Sequence, residues 1–554
     1  MSEARELTID VTGMTCDRCA HAVAKALRSV PGVHDVLEVS HAGALARVTA
    51  GAGATSEGIE KAVAAAGYRA KVREGPRAMA PAVIDRGAGD FDLLIVGGGS
   101  AGFAAAIKGA ELGARVGLIE SGTLGGTCVN VGCVPSKTLI RAAEANHGRT
   151  HHGFAGIPAT DGQPDWPAVR AQKDQLVAAL RQAKYWDVLR AYEGITLIEQ
   201  RATLISGRSV RFGDSRTLTG GKIVIATGAS PWAPPIPGLA EAGYLDNASA
   251  MALERLPSSL IVIGGSAVGL ELTQMFARLG VQVTVLEALP RIVPTEEPMI
   301  GEALGDYLRA EGLAVHTGVR ITQVGRLEDR YTVAFREGGA SRTTRADQIL
   351  VATGRRANTN GFGLETVGVT LGKKGEVVVD EFLQTANPDV YAAGDVIGEP
   401  MFVYVAAYGG SVAAENALTG NTRQYDLSAL PRVTFTDPAV ASVGLTEPEA
   451  RERGLEPLVA HLPLEHVPRA LAARDTRGFV RLVADAASKK IVGAHILAAE
   501  AGEMITEPVL AIRYGLTIDD LTSAFHPYLT LSEGVKLAAQ TFTKDVAKLS
   551  CCAG

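Results

Sequence analysis

The stretch FDLLIVGGGSAGFAAAIKGAELGARVGLIE, Phe91–Glu120, determines the fold class of this 554-residue chain. Its apolar start predicts a strand, its glycines a tight turn, and the remainder a helix and a second strand. Gly97, Gly99 and Gly102 fit the pattern G-x-G-x-x-G before the helix, which lets a pyrophosphate lie on the helix N-terminus. Glu120 ends the second strand, where a carboxylate accepts hydrogen bonds from ribose hydroxyls. The unit is therefore predicted to bind a dinucleotide.

The same layout returns in SLIVIGGSAVGLELTQMFARLGVQVTVLE, Ser259–Glu287. Gly264 and Gly269 keep the outer glycine positions, and Ser266 stands where the middle glycine belongs. Because serine is small, the turn stays possible, and the segment predicts a second nucleotide site. A βαβ unit without a ligand is the structural alternative.

Glu287 ends the second strand of this repeat and bears on the choice of nicotinamide. A carboxylate at this place favours a free 2′-hydroxyl and repels a 2′-phosphate. Arg291, Arg355 and Arg356 are cations that could compensate. The sequence leaves the choice open, with NADPH as the expected donor and NADH as the alternative.

The composition argues against several classes of protein. The formal net charge is −6, and Lys and Arg form no blocks, so no nucleic acid or anionic membrane partner is expected. The charged start MSEARELTID does not resemble a secretory signal. Charges interrupt the apolar stretches within about 18 residues, so no transmembrane helix and no stable membrane insertion are predicted. The cytoplasm is the expected compartment.

The six cysteines fall into three local pairs: Cys16 with Cys19, Cys128 with Cys133, and Cys551 with Cys552. Cross-links this local close almost no loop and would add little stability. The pairing therefore predicts thiol chemistry rather than a structural framework.

The segment GGTCVNVGCVPSK, Gly125–Lys137, follows the first nucleotide unit directly. With it, the chain resembles the flavoprotein disulfide reductases from about Asp90 to the C-terminus. Further marks of the resemblance are IVIATGA (Ile223–Ala229), LVATGRRAN (Leu350–Asn358) and VYAAGDV (Val390–Val396).

This resemblance implies FAD in the first nucleotide unit and a nicotinamide in the second, with electrons passing through the flavin to the paired cysteines. It implies that Cys133 lies against the flavin and that Cys128 meets the substrate. Lys137 and Glu271 align with a charge pair beside the flavin ring, and Asp395 with a contact to its ribityl or phosphate region. The other residues that the resemblance assigns to the cofactor are Gly122, Gly126, Thr127, Ala202 and Val403.

The N-terminal stretch GMTCDRCA, Gly13–Ala20, resembles the heavy-metal-associated domain. That resemblance implies that Cys16 and Cys19 hold a soft metal ion, because thiolates select soft cations. A thioredoxin-like redox pair is the competing interpretation.

The stretch FHPYLTLSEG, Phe525–Gly534, bears on the substrate. Disulfide-reducing members of the family carry a histidine with a glutamate five residues later as an acid–base pair. His526 is present, but Leu531 occupies the partner position and Glu533 comes two residues late. The sequence therefore predicts a broken pair and argues against disulfide substrates.

Cys551 and Cys552 lie on a terminal tail, where residues are mobile unless tied down. Because a disulfide between neighbours is strained, we expect an available dithiol. The whole combination resembles the members of the family that reduce mercuric ion. This implies a homodimer with the active site at the subunit interface, in which Hg(II) passes from the N-terminal pair to the tail and then to the central pair. Tyr185 and Tyr528 would flank the metal there.

Two rival functions stay open at this point. One is a disulfide reductase of the high-molecular-weight thioredoxin reductase type, which also uses a C-terminal cysteine pair. The other is a copper-trafficking protein whose reductase half is secondary.

The expected fold is α/β, with two Rossmann-like nucleotide-binding domains and an α+β dimerisation domain, preceded by a small ferredoxin-like βαββαβ metal-binding domain. The predicted boundaries are 1–72 for the metal domain, 73–89 for a linker, 90–240 and 358–430 for the FAD domain, 241–357 for the NAD(P)H domain, and 431–554 for the dimerisation domain with its tail.

Overall fold

A computed structural model describes residues 5–14, 16–40, 45–51, 53–72, 89–160, 162–213 and 215–549. These residues form two compact units, within Met1–Val83 and Ile84–Gly554. The predicted linker lies outside the described residues except for Gly89, and so do Cys551 and Cys552. Within the described ranges, every helix is too short or too polar to cross a membrane.

The N-terminal unit has the predicted βαββαβ order. Its elements are β1 (Arg5–Thr12), α1 (Asp17–Arg28), β2 (Val33–Ser40), β3 (Leu45–Ala50), α2 (Ser56–Ala65) and β4 (Arg69–Val72). The strands form an antiparallel sheet in the order β2-β3-β1-β4. On α1, Ala20, Val23 and Leu27 recur at helical spacing and are buried in the core of the unit.

The first nucleotide region of the second unit begins at the quoted glycine-rich stretch. Its elements are β5 (Phe91–Val96), α3 (Ser100–Glu111), β6 (Val116–Ile119), α4 (Gly126–Val131), α5 (Cys133–Gly148), α6 (Trp166–Arg181), α7 (Asp187–Ala191), β7 (Ile195–Ile198), β8 (Ala202–Ser206), β9 (Ser209–Phe212), β10 (Arg216–Ile225), β11 (Ala229–Pro231), α8 (Leu239–Ala242) and α9 (Asn247–Met251). A π-helix, Gln182–Trp186, joins α6 to α7.

The second nucleotide region repeats this plan. Its elements, and those that return to the first sheet, are β12 (Ser259–Ile263), α10 (Ala267–Arg278), β13 (Gln282–Leu286), α11 (Pro298–Ala310), β14 (Ala314–His316), β15 (Arg320–Leu327), β16 (Arg330–Glu337), β17 (Ala340–Ala346), β18 (Gln348–Val351), β19 (Arg355–Ala357), β20 (Val390–Ala392) and α12 (Val403–Thr419).

The C-terminal region carries an antiparallel sheet in the order β21-β22-β25-β24-β23. Its elements are β21 (Arg432–Thr434), β22 (Ala439–Gly444), α13 (Glu447–Glu452), β23 (Pro457–Pro463), α14 (Pro468–Ala473), β24 (Phe479–Asp485), β25 (Ile491–Ala498), α15 (Ala501–Met504), α16 (Thr506–Tyr514), α17 (Ile518–Ser523) and α18 (Glu533–Gln540).

The two nucleotide regions are built on matching parallel sheets. The first runs β7-β6-β5-β10 with β20 beside β10, and the second runs β14-β13-β12-β18. In each, the strand before the glycine turn is central and buried, as expected for parallel strands covered on both faces. The predicted fold class is confirmed.

One face of α10 connects the second nucleotide region to the C-terminal sheet through hydrogen bonds and ion pairs. The backbone N–H of Phe435 donates to Glu271 Oε1 at 2.9 Å. Gln274 exchanges two hydrogen bonds with the backbone of Asp437, at 2.7 and 2.8 Å. Arg278, one turn further on, pairs with Asp437 Oδ2 at 2.8 Å and with Glu311 Oε1 at 2.6 Å. These residues lie at helical spacing on one side of α10, so the helix positions the loop before β22.

Replacing Arg278 with leucine is expected to destabilise the second unit. The Arg278 side chain is only 3% exposed, and its loss leaves the two acidic partners, Glu311 and Asp437, with the more exposed Arg477 as their remaining cationic contact. Removing one partner of a buried ion pair costs about 3–5 kcal/mol. Urea unfolding followed by circular dichroism measures the loss. The exposed pair Arg190–Asp187 provides the control, and equal stability of Arg278→Leu and Arg190→Leu would show that the network does not hold the regions together.

Candidate active site

The first glycine turn has no room for side chains at two positions. Gly97 has φ of +113°, which favours glycine. A Cβ added to Gly102 would lie 1.8 Å from the carbonyl oxygen of Gly97. Gly99 precedes α3 directly, so the N-terminus of that helix opens onto the turn. This is the close backbone geometry that a bound pyrophosphate requires.

Glu120 is held at the end of β6 by two backbone groups. The N–H of Gly98 donates to Oε2 at 2.7 Å, and the N–H of Gly122 donates to Oε1 at 2.6 Å. The carboxylate therefore has a fixed orientation beside the turn. Gly122, which the sequence assigns to the cofactor site, therefore contributes by orienting Glu120.

The second turn has the same backbone arrangement as the first, and Ser266 occupies the position that Gly99 has in the first turn. Cβ atoms on Gly264 and Gly269 would lie 2.4 Å from Ala352 O and 2.1 Å from Gly264 O. Ser266 precedes α10 with φ of −99°, in extended backbone that any residue adopts. The replacement of the middle glycine thus leaves the turn intact.

A single cleft of about 1560 Å³ joins the two turns. The predicted site residues that line it are Gly97, Gly99, Glu120, Gly126, Thr127, Cys128, Cys133, Lys137, Ala202, Gly264, Glu271, Glu287, Asp395 and Val403. Gly102 and Gly269 instead pack beneath their turns. The residues fit one dinucleotide on each turn, because both turns leave the space that side chains would fill. This space is the same at both turns, so the assignment of FAD to the first turn and of a nicotinamide dinucleotide to the second follows the family resemblance and stays a prediction.

The central cysteine pair lies on this cleft, with one sulfur on each of two consecutive helices. Cys128 belongs to α4, and Cys133 is the first residue of α5, where the helix dipole favours a thiolate. A hydrogen bond with the Cys128 thiol lowers the pKa of Cys133 to about 7, against the effect of burial and with help from Lys137. The same hydrogen bond raises the pKa of Cys128. One thiolate and one thiol are therefore expected near neutral pH.

Lys137 lies one turn after Cys133 and is fixed by two contacts. Its Nζ is 2.6 Å from Glu271 Oε2 and 4.6 Å from the centre of the Phe435 ring. Glu271 is held in turn by the backbone of Phe435. The charge pair that the sequence predicts beside the flavin is therefore formed in the folded chain.

Arg355 was considered above as a cation near Glu287, but the structure places its contacts elsewhere. It donates to the carbonyl oxygen of Ala229 and to Thr127 Oγ1 at 3.4 Å, and its Nε is 3.8 Å from Asp395 Oδ2. Burial lowers the pKa of Arg355 and raises that of Asp395. Because β19 brings it beside the cysteine pair, Arg355 lies in the first nucleotide site rather than near the ribose end of the second.

Two tyrosines lie close to the cysteine pair. Tyr185 belongs to the π-helix, its ring is 4.7 Å from that of Phe103, and burial raises its pKa. Tyr404 was not predicted from the sequence; its hydroxyl donates to Pro431 O at 2.5 Å. Burial raises the pKa of Tyr404 to about 12, and the charge of Cys133 contributes.

Neither Tyr528 nor His526 lines this cleft, so the predicted position of Tyr528 beside the metal stays a prediction. The expectation that His526 lacks a carboxylate partner is wrong. Its Nε2 is 2.8 Å from Glu507 Oε1, and Glu507 belongs to α16. The partner comes from another helix, so spacing within FHPYLTLSEG could not reveal it. Tyr528 is 55% exposed.

The N-terminal cysteine pair forms a separate candidate metal site in its own unit. Cys16 precedes α1, and its Sγ is 3.5 Å from the Sγ of Cys19. A hydrogen bond with Cys19 raises the pKa of Tyr68, so this hydroxyl lies at the site. Both sulfurs thus converge on one point, as binding of a soft ion requires.

Three family models match the chain. Residues 91–410 match the pyridine nucleotide-disulphide oxidoreductases, and residues 430–539 match the dimerisation domain of that family. Residues 8–69 match the heavy-metal-associated domain.

Individual proteins match over most of the chain. It is 44% identical to the mercuric reductase of Staphylococcus aureus over 99% of both chains, and 43% identical to that of Acidithiobacillus ferrooxidans over 100% of both. It is 49% identical to the mercuric reductase of Streptomyces lividans over 84% of this chain and 98% of the relative. Among solved structures, the Cu(II) complex of the HOCl-induced flavoprotein disulfide reductase RclA from Escherichia coli is 30% identical, with a TM-score of 0.72 over 80% of this chain and 98% of that one.

Replacing Lys137 with methionine is expected to raise the pKa of Cys133 above about 7, because a cation is lost while Glu271 still opposes the thiolate. The thiolate then forms at higher pH than in the wild type. The rate of Cys133 alkylation by iodoacetamide in the reduced protein, followed by peptide mass spectrometry across neutral pH, measures the shift. Lys108→Met, in an ion pair on α3, is the control. An unchanged midpoint in Lys137→Met would contradict the role of Lys137.

Proposed function

The chain belongs to the mercuric reductases of the pyridine nucleotide-disulphide oxidoreductase family, and from this premise we propose that it reduces Hg(II) to elemental mercury at Cys128 and Cys133, in detoxification of mercury. The observation that carries the proposal is the pairing of these two sulfurs on a cleft shared by both nucleotide turns. The overall reaction consumes one NAD(P)H and one Hg(II) and yields NAD(P)⁺, a proton and Hg(0).

The residues of the chain bind the metal ion and hold the charges around it. Cys133 offers a thiolate near neutral pH, and Cys128 gives up its proton when Hg(II) binds, because metal ligation requires deprotonated sulfur. Lys137 balances the negative charge at the pair. Bound FAD would supply the electron path from the nicotinamide to the metal. Neutral Hg(0) binds thiolates weakly and leaves.

The relay of Hg(II) is part of the proposal. The N-terminal pair would capture the ion, and the tail pair Cys551 and Cys552 would hand it to the central pair by thiolate exchange. Each of the three pairs offers two sulfur ligands, and because thiolates bind soft metal ions, Hg(II) can exchange between the pairs. The final steps rest on residues outside the described ones.

We also propose a homodimer in which the tail serves the partner's site. The match to the dimerisation domain supports it, and so do exposed apolar side chains in the same region. Phe525 is fully exposed, and Tyr514 is 70% exposed. His526 follows Phe525 directly and Tyr528 comes two residues later, so a subunit contact at Phe525 would bring both residues close to the partner subunit.

A second candidate function is disulfide reduction. The His526–Glu507 pair favours it, because a histidine held by a carboxylate can protonate a leaving thiolate. The solved structure of RclA, named as a disulfide reductase, is a relative of the same fold.

Purified FAD-containing protein is expected to oxidise NAD(P)H with Hg(II) in excess small thiol, and only slowly with oxidised glutathione. Absorbance at the nicotinamide band follows both reactions. Cys128→Ser should abolish the Hg(II)-dependent rate, because one of two sulfur ligands is lost. Turnover with oxidised glutathione and none with Hg(II) would favour the second candidate.

The change Cys551→Ala with Cys552→Ala is expected to slow Hg(II) turnover about tenfold or more in excess thiol, since a tethered dithiol competes through its high effective concentration. Oxidation of NAD(P)H by other acceptors should persist. Thr541→Ala, upstream on the same C-terminal segment, serves as the matched control. Equal Hg(II) turnover in the double variant and the control would remove the tail from the relay.

A further inference from the structure

We infer that the outer face of the sheet β15-β16-β17 attracts the anionic nicotinamide dinucleotide and directs it into the cleft. We call this surface, defined by Arg320, Arg336 and Arg345, the arginine face. The inference rests on the proposed function only in requiring a nicotinamide donor. It concerns how fast a donor is captured, and it applies to NADH and NADPH alike because both carry a negatively charged diphosphate.

The three strands collect arginines that are dispersed in the sequence. Residues 320–346 contain six arginines and three acidic residues, although the whole chain has a formal net charge of −6. The six arginines are never adjacent, so the sequence shows no basic block there. The antiparallel sheet places β15 and β17 on either side of β16 and brings the arginines together.

The alternation of side chains along the strands gives the sheet one apolar and one basic face. Alternate residues of β16 are buried in the core beneath the sheet, namely Tyr331, Val333 and Phe335. Arg336 therefore points outward, and the register places Arg320 beside it and Arg345 in a further outward row of β17. Throughout strands β15 to β17, which are fully described, every charged residue in the outward rows is an arginine. Arg330, the fourth of them, pairs with Asp347 at 3.4 Å.

Arg320 and Arg336 are directly opposite each other in the register of β15 and β16. Like charges in this arrangement repel each other and destabilise the strand pair. In the described part of the chain, neither guanidinium has a hydrogen-bond or ion-pair partner, whereas Arg342 on β17 pairs with Glu337 at 2.8 Å. A bound anion would relieve this repulsion, so the pair indicates an anionic ligand.

Arg320 connects the arginine face to the cleft. The residue is exposed on the sheet and also lines the cleft, so it lies at the rim. Val319 before it donates its backbone N–H to the carbonyl oxygen of Glu287, which ends the second βαβ unit. The arginine face is therefore continuous with the site predicted for the nicotinamide dinucleotide, and the positive charge of the face complements the negative charge of the diphosphate.

A long polyanion fits the arginine face less well. Nucleic acid is bound through many cations that follow its phosphates. Here the turn between β15 and β16 carries Glu328 and Asp329, so acidic residues end the face on that side. The short basic surface beside a nucleotide cleft instead suits a small anion that enters the cleft.

The test is the rate at which NAD⁺ and NADP⁺ associate with the FAD-containing full-length protein. Arg336→Gln should slow both about threefold at low ionic strength, since steering by fixed charges raises association rates tenfold or more. The difference should vanish at about 1 M salt, where the Debye length is about 3 Å. Trp232 lines the cleft, so stopped-flow quenching of tryptophan fluorescence follows association without turnover.

Arg342→Gln is the matched control. It removes the same charge from the same sheet, but Arg342 lies opposite Phe335 and is already neutralised by Glu337. It should leave both association rates unchanged. The urea midpoint of Arg336→Gln should not fall, because the change removes a repulsion.

A gain-of-function variant makes the test independent of any loss of folding. Thr343 is exposed in an outward row of β17, so Thr343→Lys adds a cation to the arginine face. It should speed association about twofold at low ionic strength.

Two results would overturn the inference. Equal slowing by Arg336→Gln and Arg342→Gln would mean that only net charge matters. Unchanged association in Arg336→Gln, with no gain in Thr343→Lys, would remove the arginine face from donor capture. These measurements contain no Hg(II), so their failure leaves the proposed function standing, whereas absence of Hg(II) reduction would remove the proposed function and leave the association rates as they are.

Discussion

The ion pair between Lys137 and Glu271 connects three regions of the second unit. Lys137 belongs to the helix that begins at Cys133, Glu271 to the first turns of α10, and the Phe435 backbone that binds Glu271 to the C-terminal sheet. Because the pair is largely buried, each partner depends on the other for charge balance. The position of the cysteine pair relative to both nucleotide turns depends on this contact.

The charges around the cleft divide it into two chemical parts. At the cysteine end, Lys137 and Arg355 favour negative charge on sulfur and on a bound cofactor. At the two strand ends, backbone N–H groups hold the carboxylates of Glu120 and Glu287, which we propose accept hydrogen bonds from ribose hydroxyls. A soft dication that binds at the cysteine end meets a Cys133 thiolate that forms near neutral pH, and its binding displaces the proton that Cys128 still holds.

The features that could be predicted from the sequence are the local ones. Both glycine turns, and the carboxylates Glu120 and Glu287, depend on contacts within about 25 residues, which the spacing of a βαβ unit fixes. Arg355 and Tyr404 could not be placed in this way, because each contacts residues from distant segments. Glu507 is only 19 residues from His526, but it belongs to a different helix, and no spacing motif fixes how that helix packs. The long-range pairing of Lys137 with Glu271 was available only through family resemblance. The tail cysteines are outside the described residues, and their role stays a prediction.

The central claim is that electrons from the nicotinamide end on mercury at the Cys128–Cys133 pair. The most direct measurement is the amount of mercury vapour released per nicotinamide oxidised, under anaerobic conditions with limiting Hg(II). The account predicts one Hg(0) for each nicotinamide, with none released by a Cys133→Ser variant that still binds FAD. Nicotinamide oxidation without mercury vapour, or vapour release that survives the loss of Cys133, would contradict it.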